Sequence, residues 1–512
     1  MQERRTNYRR RAANSNQTLS DAHSDSFAAL KNLSRNQNFQ KFSGIKPESI
    51  FLCVAVVIGL VFAIFQPLFI EPDSSYHFEK STYIANTVVD RAKIGFFGED
   101  YDNHTQVEPP YVSDWKKGVS WMSSTVADGS YFKLFFQTKL PTVNKDQVQD
   151  KRVEGSTWLN DISHDVPALG VMIGHAIYPS LGSMVITARI LNLTFFILCL
   201  FFIIKRLAAY KLLFVFVSLS PTVIQLATSL SYDCYAYVAV ALASACLINA
   251  AHHLKSDKKI SFAQLGISFI SLMLSSLALL FAKWNFWLLY LLMALVALGL
   301  LLKLFGLKIR SRQLAYLGLP ILGIGALGAV IVLNEKLLVF IPKLFMSLLE
   351  PYYTILSAQI LSGTSVAGLP GWAMLAEFAV LILVLLSQRE EVVPSWFAWL
   401  GMLLFVVNMF GVLYTYALDK DFTGNIILGP QGRYFTPLIL ILAPFFTLVA
   451  QKIAVVSGKW LKYLVMASSI LFLVLNFSVL ATRFYALHRP LDEYRSGVEH
   501  YILYENKKDK GK

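Results

Sequence analysis

The feature that most constrains this chain is its set of long apolar runs, many of them close to the ~20 residues a helix needs to cross the hydrocarbon core of a bilayer. We read about eleven: Phe51–Phe69, Val185–Ile204, Leu212–Leu230, Tyr235–Ala251, Phe262–Phe281, Phe286–Leu302, Leu314–Leu333, Trp372–Leu386, Trp396–Tyr416, Phe435–Ala450 and Leu461–Ala481. In lipid every backbone N–H and C=O must be satisfied internally, which leaves helices or a closed barrel. Barrel strands alternate apolar and polar residues, and these runs are continuous. Hydrophobic residues make up 55% of the chain and charged residues 15%, an apolar balance beyond that of soluble domains. The expected fold is an all-α polytopic membrane protein with about 11 transmembrane helices.

Charge sets the orientation, because short cytoplasmic loops carry excess Lys and Arg. The N-terminal tail, residues 1–47, has nine Lys/Arg before the first run against Glu3, Asp21 and Asp25. It reads as a disordered basic tail near anionic lipid on the cytoplasmic side. Alternation then puts Lys205–Lys211, His252–Lys259, Lys303–Arg312 and Gln451–Lys462 inside, with three, three, four and three basic residues. The outer connection Ser231–Cys234 has none. The polar C-terminal tail, 483–512, comes out external although it is basic, a conflict between parity and charge. Residues 48–482 form the expected membrane domain, with a large first extracytoplasmic loop at 70–184. Gly170–Ser183 and Leu337–Leu361 are amphipathic and are expected at the interface. The formal net charge of +13 is spread over short clusters between apolar runs, so no nucleic-acid partner is expected. Cys53, Cys199, Cys234 and Cys246 are too scattered for a disulfide framework or a metal cluster.

Four groups could carry chemistry. Glu71-Pro72-Asp73 follows the first run, and Pro72 forces a turn there. His77 and Lys80 lie at i+4 and i+7 from Asp73, on one helical face. A carboxylate beside a His at a membrane surface can serve as a general base; it can equally cap the interfacial helix. Asp233 in Ser231-Tyr232-Asp233 sits at an external helix junction, where acids are paired, functional or simply solvated. Lys283 breaks the inside bias for cations, which suits a phosphate or snorkelling to headgroups. In Gln431-Gly432-Arg433-Tyr434-Phe435, Arg433 can grip a phosphate bidentately and Tyr434 can stack, or the pair can anchor the interface. Glu377, inside an apolar run, reads as a satisfied polar contact. Asp73, His77, Asp233, Lys283 and Arg433 all fall on the external face of the topology.

These residues also carry a resemblance. Pro72-Asp73-Ser74 with His77-Phe78, Arg189-Ile190-Leu191-Asn192, Ser231-Tyr232-Asp233, Ala282-Lys283 and Gln431–Phe435 stand in an order similar to that of an uncharacterised family of bacterial polytopic membrane proteins, the domain of unknown function 2142. That family resembles the GT-C class of membrane glycosyltransferases. The resemblance implies a bacterial plasma-membrane enzyme with a GT-C-like fold. Its donor would be a polyprenyl-phosphate-linked sugar and its acceptor a cell-wall or surface polysaccharide or a glycolipid, met outside the cytoplasm. It implies Asp73 as general base, with Glu71 as understudy and His77 beside them. Lys283 and Arg433 would hold the carrier phosphate, helped by Gln431 and Tyr434, and Asp233 would shape the site. A divalent cation is the one cofactor left open, and Ser74, standing where the pattern has a second acid, argues against metal at this turn. Two other functions remain in view. One is a transporter or lipid-linked-sugar flippase, for which polar groups near the midplane and inverted repeats are expected. The other is a non-catalytic membrane subunit of a polysaccharide-assembly complex.

Overall fold

A computed structural model describes residues 45–68, 71, 74–88, 132–137, 139, 156–256, 260–306, 334–349, 360–364, 367–418, 424–427, 430–452, 460–482 and 485. Among these the chain is almost wholly helical. In order it forms α1 (Pro47–Phe65), α2 (Ser74–Val88), α3 (Asp165–Ile177), α4 (Leu181–Arg206), α5 (Lys211–Ser218), α6 (Pro221–Ala227), α7 (Asp233–Lys255), α8 (Phe262–Leu280), α9 (Leu289–Leu304), α10 (Asn334–Leu349), a two-residue hairpin β1 (Gly363–Thr364) and β2 (Ala367–Gly368), α11 (Gly371–Leu385), α12 (Ser395–Ala417), α13 (Ile439–Ala450) and α14 (Trp460–Ala481).

The protein is an all-α polytopic membrane protein seated in a lipid bilayer. Seven helices among the described residues are long and apolar enough to cross it: α1, α4, α7, α8, Trp284–Leu304, α12 and α14. Of the remaining four expected spans, two appear as the shorter apolar helices Gly371–Leu385 and Thr436–Ala450, and Leu314–Leu333 lies outside the described residues. The fourth, Leu212–Leu230, departs from a single helix. It breaks between Ser218 and Pro221 because Pro221 has no N–H for the preceding helix and Ser220 accepts from Val223 N to start a new one.

Helices in lipid gain little from apolar contact with one another, so small residues and internal polar contacts hold them together. The central helix, α7, shows the first device. It is 78% buried, against 28% for α8 at the rim, and its buried positions include Ala236, Ala239, Ala243 and Ala250. In the same way α3 packs on α4 so closely that a Cβ on Gly170 would meet the Ala188 backbone at 2.3 Å.

The second device is a buried polar clasp around the β-hairpin. Non-helical backbone is tolerated at membrane depth only where the protein satisfies it. Gly363 N donates to Thr222 Oγ1 (2.8 Å) and Thr364 N to Gln225 Oε1 (2.8 Å). Gln225 Nε2 donates to Ala367 O (3.0 Å) and Asn476 Oδ1 (2.6 Å). Gly363 has φ of +115°, and a Cβ there would sit 2.3 Å from Ala367 O, so the turn requires glycine. Ser362 Oγ donates to Glu377 Oε2 (2.7 Å), while the buried Oε1 has no hydrogen-bond partner among the described residues, so the satisfied contact expected of Glu377 is met at one oxygen only. Thr436 Oγ1 donates to Ile360 O, which ties the hairpin to the start of α13.

Candidate functional site

Three chain segments far apart in sequence meet at one end of the bundle. The first is the turn into α7. Ser229 Oγ accepts from Ser231 N and Ser231 Oγ from Asp233 N, each at 3.1 Å, while Asn192 of α4 donates to Ser229 O at 2.8 Å. The serines thus satisfy backbone groups that would otherwise be orphaned, and Asp233 takes the first turn of α7, where the helix dipole favours a carboxylate. The second segment is the turn between α8 and α9, where Lys283 precedes the 3₁₀ turn Trp284–Leu288. The third is the 3₁₀ turn Gly432–Tyr434, fixed on the hairpin through Thr436.

Asp233 is where they join. Lys283 Nζ lies 2.6 Å from its Oδ1, and Arg433 Nε lies 3.0 Å from its Oδ2. The second contact is an ion pair rather than an aligned hydrogen bond. Lys283 Nζ also stands over two aromatic faces, 4.1 Å from the Tyr434 ring centre and 4.7 Å from that of Tyr232. Aromatic faces attract cations, so the ammonium is held between two rings and a carboxylate. Tyr434 is backed by Tyr416, with their hydroxyls 3.1 Å apart and their rings stacked. A cavity of about 310 Å³ opens beside this group, bordered by Lys283, Trp284, Asn285, Tyr232, Tyr416 and Tyr434.

On the far side of Tyr232 lie two imidazoles. His77 of α2 and His164 are 2% and 1% exposed, and His77 Nδ1 is 3.0 Å from His164 Nε2. Tyr232 packs edge-on against both. Burial first, then the neighbouring His164, holds His77 well below its ordinary value; Arg433 and Lys283 add to the effect and Asp233 opposes it. Burial, with Lys80 second, lowers His164 to about 3. Both rings are therefore neutral near pH 7, and a single N–H bridges them. Midway along α2, Lys80 pairs with Asp161 at 2.6 Å and with the Tyr76 hydroxyl at 3.2 Å. Burial opposes the Lys80 charge, but those two hydrogen bonds outweigh it and raise the ammonium.

Asp233, Lys283, Arg433 and Tyr434 thus come together as the sequence suggested, and His77 joins them through Tyr232. Gln431 leads into the Arg433 turn with its buried Oε1 unpartnered among the described residues. Asp73 lies outside the described residues. Glu71 does not join the Asp233 group. Its Oε1 accepts from Arg189 Nε (3.1 Å) and Nη2 (2.7 Å), while Arg189 also donates to the carbonyls of Gln66 and Pro67. Sequence reasoning missed His164, Tyr416 and the cavity residues Trp284 and Asn285. Tyr232 and Asn285 sit beside the flagged charges, a usable signal, whereas nothing in the sequence marks Tyr416. Among the described residues no three or more His, Cys, Asp or Glu side chains converge as a metal site.

A family model described as "Predicted membrane protein (DUF2142)" matches residues 56–442. The match runs from within α1 to within α13, so it spans all the segments that build the site. No curated protein and no solved structure matches the chain.

Proposed function

The chain belongs to the DUF2142 family of predicted membrane proteins, and we propose that it is a GT-C-like glycosyltransferase of the bacterial plasma membrane. In this reading it moves a sugar from a polyprenyl-phosphate carrier to a polysaccharide or glycolipid acceptor on the extracytoplasmic face. The observation that carries the proposal is the meeting of Lys283 and Arg433 on Asp233 beside an open cavity. Cations fixed in a water-poor cleft are suited to a phosphate that gains charge as it leaves.

The step is a displacement at the anomeric carbon. The acceptor hydroxyl oxygen forms a bond to that carbon, and the carbon–oxygen bond to phosphate breaks with its electron pair on the phosphate. Lys283 and Arg433 receive the developing charge. Asp73 takes the hydroxyl proton. Asp233 holds both cations in place, and Gln431 and Tyr434 border the phosphate.

Protein in nanodiscs, given a radiolabelled polyprenyl-phosphate sugar and cell-envelope acceptor, should transfer label; Asp73→Asn and Lys283→Ala should not. Movement of the intact carrier across the bilayer without transfer would favour a flippase. Label transfer unaffected by Asp73→Asn would remove Asp73 as the base, and no transfer or carrier movement by the unaltered protein would point to a non-catalytic subunit.

A further inference from the structure

The proposed transfer leaves unused a carboxyl group enclosed in the bundle. Glu377 of α11 is 1% exposed. Ser362 Oγ donates to its Oε2, while Oε1 has no hydrogen-bond partner and the residue forms no ion pair among the described residues. The outer face of α11 carries Trp372 and Leu375, both well exposed. Glu377 comes five residues after Trp372, roughly 7.5 Å inward along the helix axis from a residue type that marks the membrane interface. α11 packs on α5, α13 and α14, and the charged or titratable groups of those helices lie toward their far ends. Lys211 of α5 borders Val384 and Leu385, about two helical turns from Glu377. Lys462 and Tyr463 of α14 lie about 20 Å along that helix from Asn476, which bonds the hairpin. An isolated carboxylate is so costly out of water that such a group takes up a proton instead, and ionisable residues inside a membrane mark proton or ion sites.

We propose that Glu377 is a proton-binding site and that its proton keeps the β-hairpin closed. Oε1 is enclosed by protein, which leaves room for a proton and none for a metal ion. With the proton bound the carboxyl is neutral, Oε2 accepts from Ser362, and Ser362 O in turn accepts from Leu369 N at 2.8 Å across the hairpin. With the proton lost, a bare charge sits beside Ser362 and draws water to backbone that Thr222, Gln225 and Asn476 otherwise satisfy. The effect reaches further. Ile360 O at the base of the hairpin accepts from Thr436 Oγ1, which also lies 3.3 Å from Gly432 O, so the hairpin supports the turn that carries Arg433. The proton on Glu377 thus holds Arg433 in place from a distance, whatever the Arg433 cluster binds, and the inference stands apart from the glycosyltransferase reading.

Infrared spectra of the full chain in nanodiscs at pH 7 test the proton itself. Subtracting the spectrum of Glu377→Gln from that of the unaltered protein should leave the C=O band of a protonated carboxylic acid, shifted down in heavy water, and no carboxylate bands. Glu377→Leu, a second neutral replacement, serves the same subtraction if the amide variant folds poorly. Carboxylate bands in the difference would overturn the site. Hydrogen exchange in peptides covering residues 360–369, corrected for the intrinsic effect of pH, tests the closure. Exchange should rise about tenfold or more in the unaltered protein between pH 7 and the pH at which the acid band is lost, and change by less than about twofold in the neutral variant, because local opening sets the protection. An equal rise in both proteins, or none in the unaltered protein once the acid band has gone, would sink the hairpin latch.

Discussion

Two buried ion-pair clusters hold this bundle together, and they are built to opposite plans. Arg189 of α4 is fully buried, and four guanidinium hydrogen bonds close on Glu71 and on the carbonyls of Gln66 and Pro67. The space beside Glu71 is about 10 Å³, less than a ligand needs. Lys283 and Arg433 also converge on one carboxylate, but Lys283 is partly exposed, lies between aromatic faces and borders about 310 Å³ of open space. A buried pair stabilises little relative to a well-packed apolar substitute, yet breaking one is expensive. The first cluster satisfies the chain where it leaves α1. The second leaves room for something else to be satisfied.

The largest effect should come from breaking the closed cluster. Arg189→Met strands Glu71 without its counter-ion, and loss of one partner of a buried pair costs about 3–5 kcal/mol. Denaturant titration in mixed micelles should show a destabilised protein with poor yield. Arg189→Met combined with Glu71→Leu should recover most of the loss. If the double variant folds well yet transfers no sugar, the clasp is not merely structural, and the contrast between the clusters breaks.

The open cluster should respond the other way round. Lys283→Ala should leave the protein folded, because Arg433 still faces Asp233, but lower sugar transfer by about 10²–10³, the range for loss of one preorganised charge-stabilising group. Lys283→Arg should recover part of the rate. A loss of stability as large as that of Arg189→Met, with activity per folded molecule unchanged, would make both clusters structural.

A third polar group sharpens the distinction at smaller cost. Asn476 and Gln225 satisfy the β-hairpin backbone. Asn476→Ala should destabilise by about 1–3 kcal/mol, the cost of leaving a buried group unpaired. Sugar transfer per folded molecule should change little, as steady-state rates scaled to folded protein would show.

The membrane fold was legible because hydrocarbon imposes a length and an apolarity that show in any window of the chain. The three charges of the open cluster were legible for a related reason: each breaks an apolar context or a sidedness rule. Local pattern could not say what they meet. Glu71 and Asp73 look equivalent in sequence, two residues apart at one turn, and only the packing of α4 commits Glu71 to Arg189. His164 sits in a long polar stretch where a His is unremarkable, and its pairing with His77, 87 residues away, is a property of the fold. The break at Pro221 was foreseeable from proline chemistry, whereas the hairpin that Thr222 and Gln225 support was not. Its short strands carry no periodicity, and their partners come from helices elsewhere in the chain.

The smallest expected effect concerns the imidazoles that touch the open cluster and have no counterpart in the closed one. An unfolded histidine titrates near 6.5, while His77 and His164 are held lower, His164 to about 3. Between those values the unfolded chain binds more protons than the folded one, so stability rises with pH there. The contribution of the pair is fully present above about pH 6.5 and is lost as the pH falls toward 3. Thermal unfolding in micelles should therefore shift to lower temperature between pH 7 and pH 5. In His77→Gln/His164→Gln the shift should shrink, whereas in the Arg189→Met/Glu71→Leu background it should persist, since the imidazoles remain. A shift that instead vanished with the Arg189 clasp and survived loss of both histidines would tie the acid sensitivity to the closed cluster and reverse the assignment of roles.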